Sequence, residues 1–212
     1  MSNNIFLIRH GQTDMNIDRC LQGRCNTELN AKGLDQARRA ADEVKKMGLK
    51  PDMVYSSPLN RAFKTACIVS GFEEKDIIVD DRLQEMCFGI YEGMKRSDVE
   101  KIDPGFDSVF FGAPDTFVPM DNGESFEEVI KRGGEFLTRL KEDLNGIDNK
   151  TVFIFAHGAI IRGVISALTD REVKDFWKIH VHNLAMKKID LENKTYEDYF
   201  DGFDYEKKHS AW

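Results

Sequence analysis

The stretch Ile5-Phe6-Leu7-Ile8-Arg9-His10-Gly11-Gln12-Thr13 decides the fold, because an unbroken apolar run ends abruptly in an arginine, a histidine and a glycine. Four consecutive apolar residues predict a strand that is covered on both faces, as in a parallel or mixed sheet with helices on each side. Ligands of such sheets bind beyond the carboxyl ends of the strands. The run therefore predicts a cation and an imidazole at a ligand-binding edge of the sheet.

A second run repeats this pattern later in the chain. The apolar residues 152–156 are followed directly by His157 and Gly158. Because the carboxyl ends of parallel strands meet at one edge of a sheet, we expect the two histidines to lie close together.

Periodicity predicts the other elements. Helical spacing of apolar residues indicates helices at 33–47, 126–144 and 159–168, and Ser125 with Glu128 has the pattern of a capping box at the start of the second. Ser57 and Pro58 are predicted to cap and begin another helix, with Arg61 in its first turn. Further strands are expected at 53–55 and 77–79, with a final hairpin formed by 184–191 and 195–200.

Two segments show no regular periodicity. Residues 83–93 are interpreted as a long functional loop, and residues 94–123, here called the cap segment, are rich in proline and glycine and predict an insertion over the core. Only one short helix, at 97–102, is expected within it. The four phenylalanines of the cap segment are expected to form a small core of its own, with one or two at the substrate entrance. They are Phe106, Phe110, Phe111 and Phe117.

Bulk composition limits the class of protein. The chain has 212 residues, of which 41% are hydrophobic and 32% charged, as in soluble globular proteins, and its length predicts one core. The formal net charge of −7 argues against a nucleic-acid partner, since basic surfaces hold phosphate backbones. No signal peptide or membrane anchor is visible, so we expect a cytoplasmic location and no membrane partner. The sequence leaves the oligomeric state open.

Residue types that bind metals are scattered along the chain. Its four cysteines are Cys20, Cys25, Cys67 and Cys87. They form no close pair and have no neighbouring histidine, so we expect reduced thiols and no zinc site. His180 and His182 alternate in an extended segment without a matching cluster of acids or cysteines, so we interpret them as a solvated pair rather than as metal ligands.

The reactive residue types fall after successive predicted strands. They are His10 with Arg9, Arg61, Glu85 and His157. A phosphoryl group needs fixed cations and oriented donors, which the two guanidinium groups and the helix N-terminus near Gly158 supply. A neutral imidazole of His10 could attack phosphorus, since nearby arginines disfavour its protonation. The Glu85 carboxyl could protonate the leaving oxygen and later accept a proton from water.

Seven motifs in order and at consistent spacing resemble the histidine phosphatase superfamily, phosphoglycerate mutase-like branch. They are Leu7-Ile8-Arg9-His10-Gly11-Gln12-Thr13, Leu21-Gln22-Gly23, Asn26 to Leu29, Ser56-Ser57-Pro58-Leu59-x-Arg61-Ala62, Leu83-x-Glu85-x-x-Phe88-Gly89-x-x-Glu92-Gly93, Gly123-Glu124-Ser125 and Ala156-His157-Gly158. The resemblance runs from about residue 5 to about 190. It implies a three-layer α/β fold with a mixed, mostly parallel central sheet between helices, plus a helical cap, and a single such domain over 1–212.

The resemblance also implies residue roles. His10 resembles the phosphorylated nucleophile of the family, and Glu85 resembles its proton donor. Arg9, Arg61 and His157 resemble its phosphate-binding shell. Positions that resemble those lining the phosphate pocket are Asn16, Gln22 and Gly23, although Asn16 and Gln22 could equally complete local turns. The family implies neither a metal nor another cofactor.

Three functions remain open from the sequence. The first is a phosphomonoester hydrolase that acts through phosphohistidine on a small phosphorylated metabolite. A phosphoglycerate mutase is the nearest alternative, but mutases of this type are longer and carry Glu-Arg-His-Tyr-Gly after the catalytic acid, whereas this chain has Tyr91 to Arg96 there. A non-catalytic sensor of phosphorylated ligands would need neither His10 nor Glu85. Lys95 and Arg96 could contact an anionic part of the substrate or lie in solvent.

Overall fold

A six-stranded mixed sheet forms the centre of the computed structural model, which describes residues 3–203. The strands are β1 (Asn4–Arg9), β2 (Met53–Ser56), β3 (Ile78–Val79), β4 (Thr151–Ala156), β5 (Met186–Asp190) and β6 (Thr195–Phe200). Their order is β3-β2-β4-β1-β5-β6. The first four strands are parallel, whereas β5 and β6 pair antiparallel at one side. The predicted mixed, mostly parallel sheet is confirmed.

Seven α-helices are found among the described residues. They are α1 (Asp14–Ile17), α2 (Ala31–Lys46), α3 (Asn60–Ser70), α4 (Arg96–Ile102), α5 (Phe106–Gly112), α6 (Phe126–Asp143) and α7 (Gly158–Leu168). The predicted capping box of α6 is present, since the side chains of Ser125 and Glu128 each accept a bond from the other's main-chain N–H. Helix α2 begins two residues before the predicted start, because Asn30 caps it by accepting from Gly33 N.

Alternating residues of the central strands build the two cores. Ile5 and Leu7 pack with residues of α6 and α7, whereas Phe6 and Ile8 pack with residues of α2 and α3. This alternation follows from the pleat of a strand, which directs successive side chains to opposite faces. The result is three layers with the sheet in the middle, as the resemblance implies. No described helix is long and apolar enough to cross a membrane.

The prediction for the helix after β2 is wrong in detail. Ser57 is not the N-cap of α3, and Pro58 is not its first residue, because α3 begins at Asn60 and Leu59 occupies the cap position without a side-chain bond. The Ser57 hydroxyl accepts from Leu59 N at 3.3 Å and also lies against His157. Its hydroxyl therefore contacts the cap residue of α3 and a buried histidine, but it caps no N–H within the helix. Arg61 does lie in the first turn.

The cap segment differs from the prediction in two ways. It contains α4, close to the expected bounds, but also α5, which the flanking Pro104 and Gly105 concealed in the sequence. Its phenylalanines do not form a separate core. Phe106 and Phe110 belong to the same cluster as α6 and α7, and Phe110 lies 5.0 Å from the ring of Phe126 in α6.

Helices α6 and α7 cross closely through glycines. A Cβ added to Gly133 in α6 would lie 2.7 Å from the main-chain nitrogen of Val164, and one added to Gly163 in α7 would lie 2.8 Å from the carbonyl oxygen of Val129. Because real Cβ atoms do not approach backbone this closely, the crossing requires glycine at both positions. The crossing matters for the ligand-binding edge, since α7 follows directly after His157.

Two adjacent glycines of α6 provide a matched test of this packing. Gly133→Ala should lower the free energy of unfolding by about 1–3 kcal/mol, because the helices must separate to admit the methyl group. The control Gly134→Ala places its Cβ 3.6 Å from Ala167, an ordinary contact. It should be neutral or stabilising by up to about 1 kcal/mol, since alanine favours helix more than glycine does. Urea unfolding of both variants measures the difference, and equal stabilities would contradict the close crossing.

Candidate active site

The two histidines predicted to meet lie side by side. His10 follows β1 and His157 follows β4, its parallel neighbour, and their ring centroids are 5.0 Å apart. Both side chains are buried. Adjacent strands thus bring together two residues that are 147 positions apart in the chain, at positions 10 and 157.

The orientation of His10 is fixed by its surroundings. Its Nδ1 lies 2.6 Å from the carbonyl oxygen of Gly11, which can only accept, so Nδ1 carries the proton and Nε2 holds the free electron pair. The main chain is also anchored: Asn183 Nδ2 donates to His10 O at 2.8 Å, and Gly11 N donates to Thr65 Oγ1 at 3.1 Å. No hydrogen bond to Nε2 is found within residues 3–203. The imidazole is thus held in the tautomer that a nucleophile requires.

Two buried guanidinium groups flank the histidines. Arg9 Nη1 donates to Val181 O at 2.7 Å, and Arg61 donates from Nη1 to Cys25 O and from Nη2 to Gly23 O, both at 2.7 Å. These bonds fix the terminal nitrogens of both side chains. Each guanidinium is therefore positioned by backbone carbonyls rather than by carboxylates.

Three buried donors in this region have no partner among the described residues. They are Nε of Arg9, Nε of Arg61 and Nδ1 of His157. Buried polar groups in proteins are nearly always hydrogen-bonded, so unpaired ones in one region require an explanation. An anion that accepts from all three is the simplest partner, because every one of these groups can donate.

Burial and charge set the protonation of these groups. Burial lowers the pKa of Arg9 and of Arg61 to about 10, which still leaves both charged at neutral pH. Burial, reinforced by the charge of Arg61, also lowers the pKa of His10 and of His157 well below the ordinary histidine value. The site therefore combines permanent cations with two neutral imidazoles.

Glu85 lies at the first turn of α7. Its Oε1 accepts from Met86 N at 2.9 Å, from Ala159 N at 3.0 Å and from Ile160 N at 3.2 Å. This arrangement modifies one sequence expectation. The N-terminus of α7, beginning at Gly158, holds the carboxyl group in this structure and is not itself open to a phosphoryl group.

The remaining predicted residues line one pocket. Asn16, Gln22 and Gly23 line this pocket together with Arg9 and Glu85. Three contacts connect the other predicted residues to this lining. Arg61 donates to the carbonyl of Gly23, and a Cβ added to Gly158 would lie 3.7 Å from the guanidinium carbon of Arg9. His10 follows Arg9 in the chain and lies beside His157.

Asn16 and Gln22 also make local contacts. Asn16 Oδ1 accepts from Thr13 N at 3.0 Å, and Gln22 Oε1 accepts from the hydroxyl groups of Thr13 and Thr27. Both residues therefore make local contacts and also line the pocket, and their binding of phosphate stays a prediction. Gly23 has a φ of 48° and supplies the carbonyl that holds Arg61.

Three residues near the site were not predicted to take part. Ser57 Oγ lies 2.8 Å from Nε2 of His157. Arg162 of the otherwise apolar helix α7 donates to the carbonyls of Gly158 and Ile179, and burial lowers its pKa to about 9. Asn183 holds the main chain of His10. A polar residue at an otherwise apolar helix position was the available signal for Arg162, whereas contacts such as that of Asn183 depend on tertiary structure.

His180 and His182 lie in the segment that leads to β5. Their rings stack at a centroid distance of 6.5 Å, so they share one face as the alternation predicts. Over residues 3–203, no group of three histidines, cysteines or acids is arranged to hold a metal ion.

Comparison with known proteins gives a consistent result. The model of the histidine phosphatase superfamily (branch 1) matches residues 5–197. The "Putative phosphoserine phosphatase 2" of Hydrogenobacter thermophilus is 33% identical over 199 residues, which are 90% of each chain.

Solved structures agree with the family model. A mycobacterial glucosyl-3-phosphoglycerate phosphatase with VO3 has a TM-score of 0.78 and 28% identity, covering 89% of this chain and 93% of its own. Phosphoserine phosphatase from Entamoeba histolytica with 3-phosphoglyceric acid has a TM-score of 0.78 and 25% identity, covering 96% and 98%.

The two buried imidazoles should make stability depend on pH. Because their pKa values are lowered in the folded state, the unfolded chain binds more protons in acid, so stability falls as the pH drops below about 6.5. At pH 5.5 each histidine should cost about 1.4 kcal/mol relative to neutral pH. Denaturant unfolding at pH 7.5 and at pH 5.5 measures the change. His10→Gln should remove the contribution of one histidine to this loss of stability in acid. An unchanged pH dependence in that variant would show that His10 is not held neutral.

Proposed function

The chain belongs to the histidine phosphatase superfamily (branch 1), and on this basis we propose that it hydrolyses phosphomonoesters through a phosphohistidine at His10. The observation that carries the proposal is the set of three unpartnered buried donors beside an imidazole whose Nε2 is free. A tetrahedral dianion accepts from several donors at once, and its phosphorus would then face the nucleophile. Neither feature is needed for a purely structural role.

We take residues 1–212 as one histidine phosphatase domain, in which the cap segment covers the pocket. Residues 1, 2 and 204–212 of this span lie outside the described part of the chain. The cap segment is supported by α4 and α5, which pack on the same core as α6. A cytoplasmic location is proposed from the sequence, and the four cysteines, all free thiols, fit a reducing compartment.

The first half of the reaction transfers the phosphoryl group to the protein. Nε2 of His10 attacks phosphorus, the bond from phosphorus to the ester oxygen breaks, and the Glu85 carboxyl gives its proton to the leaving oxygen. The products are a phosphohistidine, a Glu85 carboxylate and the free alcohol. The Nδ1–H of His10 stays hydrogen-bonded to Gly11 O, which stabilises the positive charge that forms on the ring.

The second half releases phosphate. Water attacks phosphorus from the side that the alcohol has left, Glu85 accepts a proton from the water, and the bond from phosphorus to Nε2 breaks. The electron pair returns to Nε2, and Glu85 is again protonated for the next cycle. Every proton is thus accounted for by this one carboxyl group.

The cations and donors stabilise the transferred group. Arg9 and Arg61 remain charged and would each offer Nε to an equatorial oxygen, where negative charge accumulates in the transition state. Ser57 can donate its proton to Nε2 of His157, because its oxygen already accepts from Leu59 N. Nδ1 of His157 would then carry the proton that the phosphoryl oxygen accepts.

The substrate is proposed to be a small phosphorylated metabolite. The cavity between the lining residues has a volume of only about 20 Å³, far below the usual range of ligand sites in proteins, so a bulky ligand does not fit inside it. The similar proteins point the same way, since their names include phosphoserine, 3-phosphoglyceric acid and glucosyl-3-phosphoglycerate. No macromolecular substrate is required by the geometry.

Loss of the nucleophile tests the proposal directly. His10→Ala should reduce hydrolysis of 4-nitrophenyl phosphate by about 10³-fold or more, as removal of a nucleophile does in other covalent enzymes. The matched control is His180→Ala, since this histidine is exposed and lies outside the pocket. It should retain full activity. Turnover by His10→Ala at the rate of the unmodified protein would contradict the proposal, as would transfer between phosphoglycerates without release of phosphate.

The role of Glu85 predicts a dependence on the leaving group. Glu85→Gln should reduce kcat/KM for an alkyl phosphate such as glycerol 3-phosphate by about 10²- to 10⁴-fold, because the alkoxide needs a proton. The loss should be much smaller for 4-nitrophenyl phosphate, whose phenolate leaves without one. Steady-state kinetics on both esters gives the ratio. Equal losses would show that Glu85 only holds structure at the N-terminus of α7.

A further inference from the structure

A second pair of arginines is brought together at the mouth of the pocket. The segments around Cys20 and Lys95 form an antiparallel bridge, with Leu21 N bonded to Met94 O. One step along the same register, Arg96 N donates to Arg19 O at 3.0 Å. Arg19 and Arg96 are therefore directly opposite each other, an arrangement in which like charges are destabilising unless something neutralises them.

Only one member of the pair has a carboxylate among the described residues. Arg96 forms an ion pair with Asp107 of α5 at 2.8 Å and lies over the ring of Phe111. The Arg19 side chain forms no ion pair or hydrogen bond within residues 3–203, and the nearby Asp18 is paired with Lys95. Arg19 thus contributes an uncompensated positive charge.

Both arginines line the pocket that Arg9 and Glu85 of the proposed reaction centre also line. The same pocket is bounded by Arg9 and Glu85 at its inner end, while Arg19 is exposed at the outer end. A ligand that places its phosphoryl group near Arg9 would therefore extend toward Arg19 and Arg96. The cation at the outer end is not needed for phosphoryl transfer, which the buried groups already serve.

We propose that Arg19 and Arg96 form a second anion-binding subsite, which selects phosphomonoesters that carry a carboxylate a few bonds from the ester oxygen. This inference rests on the proposed function, because it assumes that the phosphoryl group binds at Arg9 and Arg61. A carboxylate matches the planar fork of a guanidinium and can be bound by two N–H groups at once. Because Arg9, Arg19 and Arg96 line the same pocket, this second charge must be close to the first. Because Arg96 forms an ion pair with Asp107 of α5, a substrate carboxylate bound by Arg96 would be linked to the cap segment.

Two esters that differ only in the acidic group test the subsite. 3-Phosphoglycerate has a carboxylate where glycerol 3-phosphate has a hydroxymethyl group. Arg19→Gln should lower kcat/KM for 3-phosphoglycerate by about 10- to 100-fold, through KM, as expected for loss of a charged hydrogen bond. Glycerol 3-phosphate and 4-nitrophenyl phosphate should be hydrolysed at rates within about 2-fold of the unmodified protein, since the bond to phosphorus is untouched.

The control separates the subsite from a general effect of charge. Arg38→Gln removes one exposed arginine of α2 that does not line the pocket, so it should leave the ratio of the two glycerol-derived substrates unchanged. Arg96→Lys keeps a charge but not the fork, and it should lower the same ratio in the same direction. An unchanged ratio in Arg19→Gln, or an equal loss on all three esters, would overturn the subsite.

Binding without turnover distinguishes failure of the subsite from failure of the proposed function. The rise in unfolding temperature caused by 3-phosphoglycerate, relative to that caused by glycerol 3-phosphate, should be large in the unmodified protein and small in Arg19→Gln. If no ester is hydrolysed but this difference persists, the proposed hydrolysis is wrong and the subsite stands. If 4-nitrophenyl phosphate is hydrolysed but the difference is missing, the subsite is wrong and the hydrolysis stands.

Discussion

The burial of two guanidinium groups beside His10 is the constraint on which the rest of the site depends. Removing Arg9 and Arg61 from water costs free energy, and each recovers part of it by donating to backbone carbonyls rather than to a carboxylate. Their charges therefore remain available to an incoming anion. The same charges and the same burial lower the pKa of both imidazoles, so one electrostatic arrangement would both attract an anionic substrate and keep the proposed nucleophile unprotonated.

Glu85 is held by contacts of a different kind from those of the two arginines. It is the one predicted site residue whose partners are main-chain donors of a helix, through Ala159 and Ile160. Since His157 immediately precedes the same helix, the relative position of acid and imidazole is set by α7. The glycine crossing fixes that helix against α6. Packing between these two helices thus helps to determine where the proposed proton donor lies.

Much of this could be predicted from local sequence, and the reasons for the misses are physical. Strands β1 and β4 were predictable because both are buried on two faces and read as unbroken apolar runs. The family resemblance placed His10, His157, Arg9, Arg61 and Glu85, and the family is confirmed by the match over residues 5–197. Ser57 was assigned to a helix cap because local pattern cannot reveal a partner 100 residues away. Helix α5 was missed because its neighbours suggest a loop, whereas burial of Phe110 in the common core stabilises it.

The central position of β1 has a consequence for synthesis on the ribosome. Of the six strands it is made first, yet both its neighbours, β4 and β5, come from beyond residue 150, and the main chain of Arg9 and His10 is hydrogen-bonded to Ala156, Asn183, Leu184 and Ala185. Because synthesis adds about 5–20 residues per second, about 10–30 s pass between the synthesis of β1 and that of the strands that pair with it. The nascent chain therefore exposes an unpaired apolar strand, which favours aggregation, until β4 and β5 are made, and the proposed reaction centre can assemble only after residue 185 has been added.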